Sequence, residues 1–212
     1  MITEGIMPDM VTFVVLLTAC SHSGLVEEGQ FYYHVMTMFY RFIPTREHHT
    51  CMVDLFGRAG HLEKAAIVVE NVPSADRVCV LSVLLGACQK WVNIDLGRWA
   101  FEQSIQIDEK CSVAYVCMEK IYAAVGMQTE ADGIEALRMK NKAWKMQGCC
   151  WWTDPDRNVH SFDSPDQKHP QSTHIYGKLE DIHQRLSQHG YSPGLHWASS
   201  KDIVDDKKVK KY

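Results

Sequence analysis

Apolar positions over the first two thirds of the chain recur at helical spacing, in paired segments separated by glycine turns. The run MVTFVVLLTACS, from Met10 to Ser21, is apolar enough for a buried helix, and Pro8 and Asp9 supply its start signal. Gly24 breaks that run, and a second helix is expected from Leu25 to Tyr40. Pro44 restarts the cycle: Met52, Val53, Leu55, Phe56 and Ala59 form the apolar side of the next first helix, and Leu62, Ala65, Ala66 and Val69 that of its partner. Pro73 closes this pair. Val80, Val83, Leu84 and Ala87 lead a third pair whose second helix carries Ile94, Leu96, Trp99 and Ala100. A fourth runs through Met118, Ile121 and Tyr122, then Ile134 and Leu137.

The connecting turns are versions of one another. GRAGHLEKA, from Gly57 to Ala65, is the clearest; SGLVEEG precedes it, and VNIDLG and GMQTEA follow. Their first residues, Gly24, Gly60, Val92 and Gly126, stand 36, 32 and 34 residues apart, close to the roughly 34-residue helix-turn-helix repeat of helical solenoids. Such a repeat cannot bury its apolar side alone, so neighbours must stack, and an all-α repeat array is expected. Past Gly148 the pattern becomes short and alternating. Cys150 to Thr153 and Val159 to Phe162, around DPDRN, read as a β-hairpin. Ile175, Leu179, Ile182 and Leu186 then keep one stripe on a helix beginning near Ser172. Trp151 and Trp152 lie on opposite faces of one strand, so one of them is expected to pack under that helix, with RNA stacking as the sharper alternative.

Composition changes this picture little. The 212 residues are 46% hydrophobic, enough for a sizeable core, and 22 basic against 26 acidic residues give a net charge of −4, which names no partner and does not announce a nucleic-acid binder. No apolar run approaches the roughly 18 residues of a membrane span. The Met1 end has neither the Arg-rich character of a transit peptide nor a signal-peptide core, so no targeting peptide is read in it. Eight cysteines at irregular spacing, with no Cys-x-x-Cys, point to a reducing compartment, and Cys20, Cys51 and Cys88 are expected to act as small hydrophobes.

His61 and Glu63 form a His-x-Glu, the shape of a zinc-deaminase signature, but they sit in a repeat turn and the Pro-Cys-x-x-Cys partner occurs nowhere in the chain. His48, His49, His160, His169, His174, His183, His189 and His196 lack metal-site spacing, and no metal or other cofactor is expected.

As an ordered set these segments resemble a known family. PDMVTFVVLLTACSHSGLVEEG and PTREHHTCMVDLFGRAGHLEKA are similar to the last two repeats of plant pentatricopeptide repeat proteins of the class with alternating long and short motifs. VLLGAC and YVCMEKIYAAVG resemble the two degenerate E motifs that follow such repeats in organellar RNA-editing factors. QGCCWWTDPDRNVHSFDSPDQKHPQSTHIYGKLEDIHQRLSQHGYSP is similar to the segment that opens the family's deaminase-like domain. The resemblance implies a right-handed α-solenoid of helix-turn-helix repeats followed by a small β-hairpin plus helix module. Its expected divisions are a long-type repeat over 1–45, a short-type repeat over 46–77, degenerate repeats over 78–111 and 112–146, the hairpin-helix module over 147–193, and a disordered tail over 194–212.

Functionally, the resemblance implies a groove lined by first helices that holds single-stranded organellar RNA, about one base per repeat. The implied base-contacting residues are Val14 with Thr45, and Thr50 with either Asp76 or Arg77. The two degenerate repeats are expected to hold protein partners instead of reading bases. Arg138, Lys140, Lys142 and Lys145 are candidates for phosphate contact, and a solvated basic helix end is an equal alternative. The zinc-binding and proton-shuttling residues of the deaminase would lie past Tyr212, so the expectation is no enzymatic activity, with editing-complex proteins or a deaminase supplied in trans as partners. By resemblance the compartment is the mitochondrion or chloroplast. The competing expectation is a protein-interaction scaffold or gene fragment that binds no RNA.

Overall fold

The computed structural model describes residues 7–144, 149–153, 155–163 and 171–190, with backbone alone at 149, 150, 152, 162 and 163. The chain divides into two units, Met1–Lys145 and Met146–Tyr212. Among the described residues of the first, eight α-helices alternate as first and second members of a pair. Helix α1 is Met10–Ser23 and α2 is Val26–His34, continued by a π-helical turn, Val35–Phe39. Then come α3 (Arg46–Arg58), α4 (Leu62–Glu70), α5 (Ser74–Trp91), α6 (Ile94–Ile107), α7 (Ser112–Ala124) and α8 (Gln128–Lys140). The second unit holds strands β1 (Cys149–Thr153) and β2 (Val159–Asp163), paired antiparallel with Trp152 opposite His160, and helix α9 (Ser172–Gln188). The all-α solenoid expectation is met.

Local chemistry sets the helix ends. Asp9 accepts the Thr12 N–H at 2.8 Å while the Thr12 hydroxyl accepts the Asp9 N–H at 3.2 Å, a reciprocal cap that starts α1. Gly24 ends it at φ 70°, a left-handed conformation that glycine adopts at no steric cost. The expected single helix from Leu25 to Tyr40 is instead interrupted. A Tyr40 N–H to Val35 carbonyl bond of 3.1 Å marks a five-residue step, and the Thr37 hydroxyl donates to the Tyr33 carbonyl at 3.0 Å. The extra residue lets Met36 be fully buried while Tyr40 stacks on Phe42, both of them against Phe13.

Helices α1, α3, α5 and α7 touch in series, and α2, α4 and α6 each pack on their own first helix and on the next one. One continuous apolar cluster results, from Leu17 through Leu55, Leu81, Leu84 and Leu85 to Tyr115, Met118 and Ile121, all fully buried. Each such side chain contributes about 1.5–3 kcal/mol on leaving water, far more than the exposed ion pairs around it. Cys20 and Cys88 belong to this cluster as the small hydrophobes expected, and burial pushes the Cys88 thiol up to about 12. Glycine sets the distance between first helices: a Cβ on Gly57 would lie 2.7 Å from that of Ala87.

The second unit departs from expectation. No residue of α9 is buried, and Tyr176, Leu179, Ile182 and Leu186 are all exposed. Trp151 is 72% exposed, so it packs under no helix, and the Trp152 side chain lies outside the described residues. A two-stranded ribbon has no second layer of its own to cover such side chains. The expected tail over 194–212 also falls outside the described residues.

Gly57→Val forces α3 away from α5 and is expected to cost about 1–3 kcal/mol or more, read as a lower midpoint in chemical denaturation with helicity retained. His49 is buried with Nδ1 unpaired, and burial, reinforced by neighbouring His48, holds its pKa below the ordinary 6.5. The unfolded chain therefore takes up this proton first. The His49 contribution is whole above pH 6.5 and drains away as pH falls below it towards the lower folded value. His49→Phe should flatten the fall of Tm between about pH 7 and about pH 5.5; an unchanged slope would exclude His49 as its source.

Candidate nucleic-acid interface

With α2, α4 and α6 covering one side of the first helices, the opposite side faces solvent. On α3 that side carries Glu47, Thr50, Asp54 and Arg58, at i, i+3, i+7 and i+11, all exposed or half-buried. The same offsets give Val11, Val14, Thr18 and His22 on α1, then Cys79, Ser82, Gly86 and Lys90 on α5, and Val113, Val116, Lys120 and Ala124 on α7, and none of these is buried. The rows across the helices thus repeat at the interval of the turns. One row, His22, Arg58 and Lys90, places a basic residue in the last turn of three successive first helices.

Side-chain bonds between first helices hold these rows in register. Buried His48 accepts the Thr45 N–H on Nδ1 at 3.2 Å, so its Nε2 carries the proton it donates to the Met10 carbonyl at 3.0 Å. The Ser21 hydroxyl donates to Asp54 Oδ2 at 2.6 Å, and Arg58 Nε donates to the same oxygen at 2.8 Å. At the end of α3, two carbonyls of the last turn are met by α5: Trp91 Nε1 donates to Gly57 O at 2.7 Å and Lys90 Nζ to Arg58 O at 3.0 Å. Glu47 stays charged, its carboxyl lowered to about 2 by the Thr45 hydroxyl, its own backbone N–H and Arg46.

The residues expected to contact bases are not equivalent. Val14 and Thr50 share a row, half-buried, and the Thr50 hydroxyl donates to the Arg46 carbonyl at 2.8 Å, which leaves its oxygen able to accept. Thr45 caps α3, its hydroxyl on Glu47 Oε2 at 2.7 Å. Asp76 lies in the first turn of α5 and adds a small share to the upward shift of the Arg46 pKa, which comes chiefly from the hydrogen bond and charge of Glu47. Arg77 turns away to clamp the end of α4, donating to the Val72 carbonyl at 2.8 and 3.2 Å and to the Glu70 carbonyl at 3.3 Å. Sequence reasoning missed Ser82, which joins the Thr50 row with the same back-bond, to the Val78 carbonyl at 3.0 Å. The row offset from the turns was the signal that could have found it.

The basic stretch is divided. Arg138 forks onto Glu135 with two bonds of 2.7 Å and is largely buried, so its charge is already matched. Lys140 and Lys142 are exposed, Lys142 at φ 53° just past α8. Lys145 lies outside the described residues. His61 and Glu63 are exposed in the turn and first residues of α4, and His169 and His196 lie outside the described residues. Among the described residues no group of three His, Cys, Asp or Glu is arranged to hold a metal, and no helix is long and apolar enough to cross a membrane.

Comparison with known proteins gives one consistent answer. A pentatricopeptide repeat-containing protein of Arabidopsis thaliana is 38% identical over 200 residues, 94% of this chain and 23% of its own length. Another from the same plant, named as mitochondrial, is 38% identical over 192 residues, 90% of this chain and 31% of its own. A third, named as chloroplastic, is 32% identical over 210 residues, 99% of this chain and 24% of its own. The chain spans about a quarter of the length of the curated relatives it matches. No family model matches it.

Proposed function

Because the chain belongs to the plant pentatricopeptide repeat proteins, we propose that the solvent-facing side of its first helices binds single-stranded RNA, as part of an organellar RNA-processing factor. The observation that carries this reading is the set of rows repeating across α1, α3 and α5, in which half-buried Val14, Thr50 and Ser82 share a solvent-facing side with the basic row of His22, Arg58 and Lys90. Repeated side chains at a repeated interval suit a polymer whose bases and phosphates also repeat. In this reading Thr50 offers its hydroxyl to a base edge, with Asp76 as its companion in place of Arg77, whose donors are spent on carbonyls. Val14 gives apolar contact, with Thr45 as companion.

The finer assignment is to C-to-U editing: alternating long and short repeats over 1–45 and 46–77, two E-type repeats over 78–111 and 112–146, and the opening of a deaminase-like domain over 147–193. The likeness of relatives named as mitochondrial and chloroplastic supports an organellar setting. The chain holds RNA and recruits proteins, and a deaminase acts in trans. A protein-interaction scaffold is the second reading, favoured by the exposed Phe31, Phe39 and Ile43 beside the π-helical turn.

Gel shifts with purine and pyrimidine oligoribonucleotides at two salt concentrations separate these readings. Binding at low salt is expected, and its absence would favour the scaffold. Lys90→Gln should weaken binding to all sequences alike and reduce the salt slope by about 0.7, whereas Thr50→Ala should alter base preference and leave the slope unchanged. For catalysis, the purified chain should show neither stoichiometric zinc nor C-to-U conversion, and finding both would overturn the inactive assignment.

A further inference from the structure

The apolar stripe of α9 has a spacing and a charged border of its own. Ile175, Leu179, Ile182 and Leu186 follow one another at intervals of four, three and four residues, the 3.5-residue period that keeps a seam turned towards one partner helix. None of the 17 residues of α9 is buried, and Leu179 and Ile182 are 54 and 51% exposed. A helix this short, with Gly177 inside it, gains little from its backbone alone. Four aliphatic side chains in line are also costly to leave in water.

The charges of α9 are sorted around this stripe. At 3.6 residues per turn, Lys178 and Arg185 border it on one side and Tyr176 and His183 on the other, whereas Glu180 and Asp181 fall on the far side of the helix. Lys178 and Arg185 precede Leu179 and Leu186 directly, so the two cations run parallel to the seam. Asp181 engages Arg185 through Nε at 3.2 Å and Nη2 at 3.0 Å, which leaves Nη1 of a 72% exposed side chain for a second carboxylate.

This border selects among possible occupants. A second copy laid antiparallel along the stripe would set Lys178 and Arg185 against the same two residues, and laid parallel against Tyr176 and His183, so neither arrangement supplies a carboxylate. An anionic membrane suits a helix whose polar side is basic throughout, but α9 sets Glu180 and Asp181 against Lys178 and Arg185. A helix with an apolar seam bordered by carboxylates matches both the spacing and the charge. We propose that the α9 stripe is a docking surface for such an amphipathic helix of a partner protein, with Leu179 and Ile182 at the centre of the seam and Lys178 and Arg185 on its carboxylates. The surface lies in the second unit and does not depend on the RNA-binding reading above.

The test is fluorescence anisotropy of two labelled synthetic helical peptides with the full chain. Both peptides carry the same leucine and isoleucine seam over three heptads, one bordered by Glu and the other by Lys. The Glu-bordered peptide should bind about tenfold more tightly, the combined worth of a few exposed ion pairs. Lys178→Gln together with Arg185→Gln, which leaves the seam intact, should bring the two peptides to equal affinity, and so should about 1 M salt. Leu179→Gln should weaken the Glu-bordered peptide by about tenfold or more, with circular dichroism confirming that each variant keeps its helices. Equal binding of the two peptides by the unaltered chain, tighter binding of the Lys-bordered one, or no binding of either overturns the proposal. Sedimentation with anionic vesicles, or self-association, that Leu179→Gln abolishes would also overturn it, by assigning the stripe to a membrane or to a second copy.

Discussion

The stacking of α1 on α3, α3 on α5 and α5 on α7 is the contact from which the other features of the first unit follow. A single helix pair here has too little apolar surface to hold itself together; Leu17, Leu55 and Leu84 reach full burial as members of one cluster that crosses the repeats. Once each first helix has a neighbour on either side and second helices behind, only one side of it is left in solvent. The rows on that side inherit the register of the stack, since His48 on the Met10 carbonyl and Trp91 on the Gly57 carbonyl tie one helix to the next. A slip of one residue at either tie would break the rows.

The turn GRAGHLEKA shows how closely packing and surface are interleaved in this chain. Gly57 lets α5 approach, and its carbonyl receives the Trp91 indole. Arg58, the next residue, points its side chain to the solvent-facing row while its carbonyl fixes Lys90. Gly60 takes φ 81° to reverse the chain, with the Trp91 ring 3.1 Å from where its Cβ would be. Trp91, half-exposed at the end of α5, therefore braces the C-terminal end of α3 and the turn that follows it.

The repeat array was legible in the sequence because its signal is periodic: apolar spacing and glycine turns both depend on many residues. Individual side-chain fates were less legible, because each turns on one nearby partner. Arg138 stood with Lys140, Lys142 and Lys145 as a candidate for phosphate contact, yet Glu135, three residues earlier, lies one helical turn away and takes both arms of its fork. Arg77 was indistinguishable from Asp76 as a closing residue until the unpaired carbonyls at the end of α4 were seen to claim it. The π-helical turn, where Met36 becomes fully buried, had no signal of its own in the apolar spacing. The stripe of α9 was read correctly as a pattern, but a pattern does not supply the surface that covers it.

Net charge was the poorest guide of all, for a reason visible in the rows. The chain as a whole is acidic, and two carboxylates, Glu47 and Asp54, stand on the very side proposed to meet an anionic polymer. Each is consumed locally. Glu47 is bound by the Thr45 hydroxyl and Arg46, and Asp54 by Ser21 and Arg58. At these separations each pair is nearly a dipole, and its field falls off well within the roughly 8 Å over which salt screens an isolated charge. Lys90 is different in kind, because a carbonyl and an aromatic ring hold it in place without cancelling its charge. What a phosphate would meet on this face is therefore set by which cations are held by neutral groups, and a count of acids and bases along the chain does not contain that information.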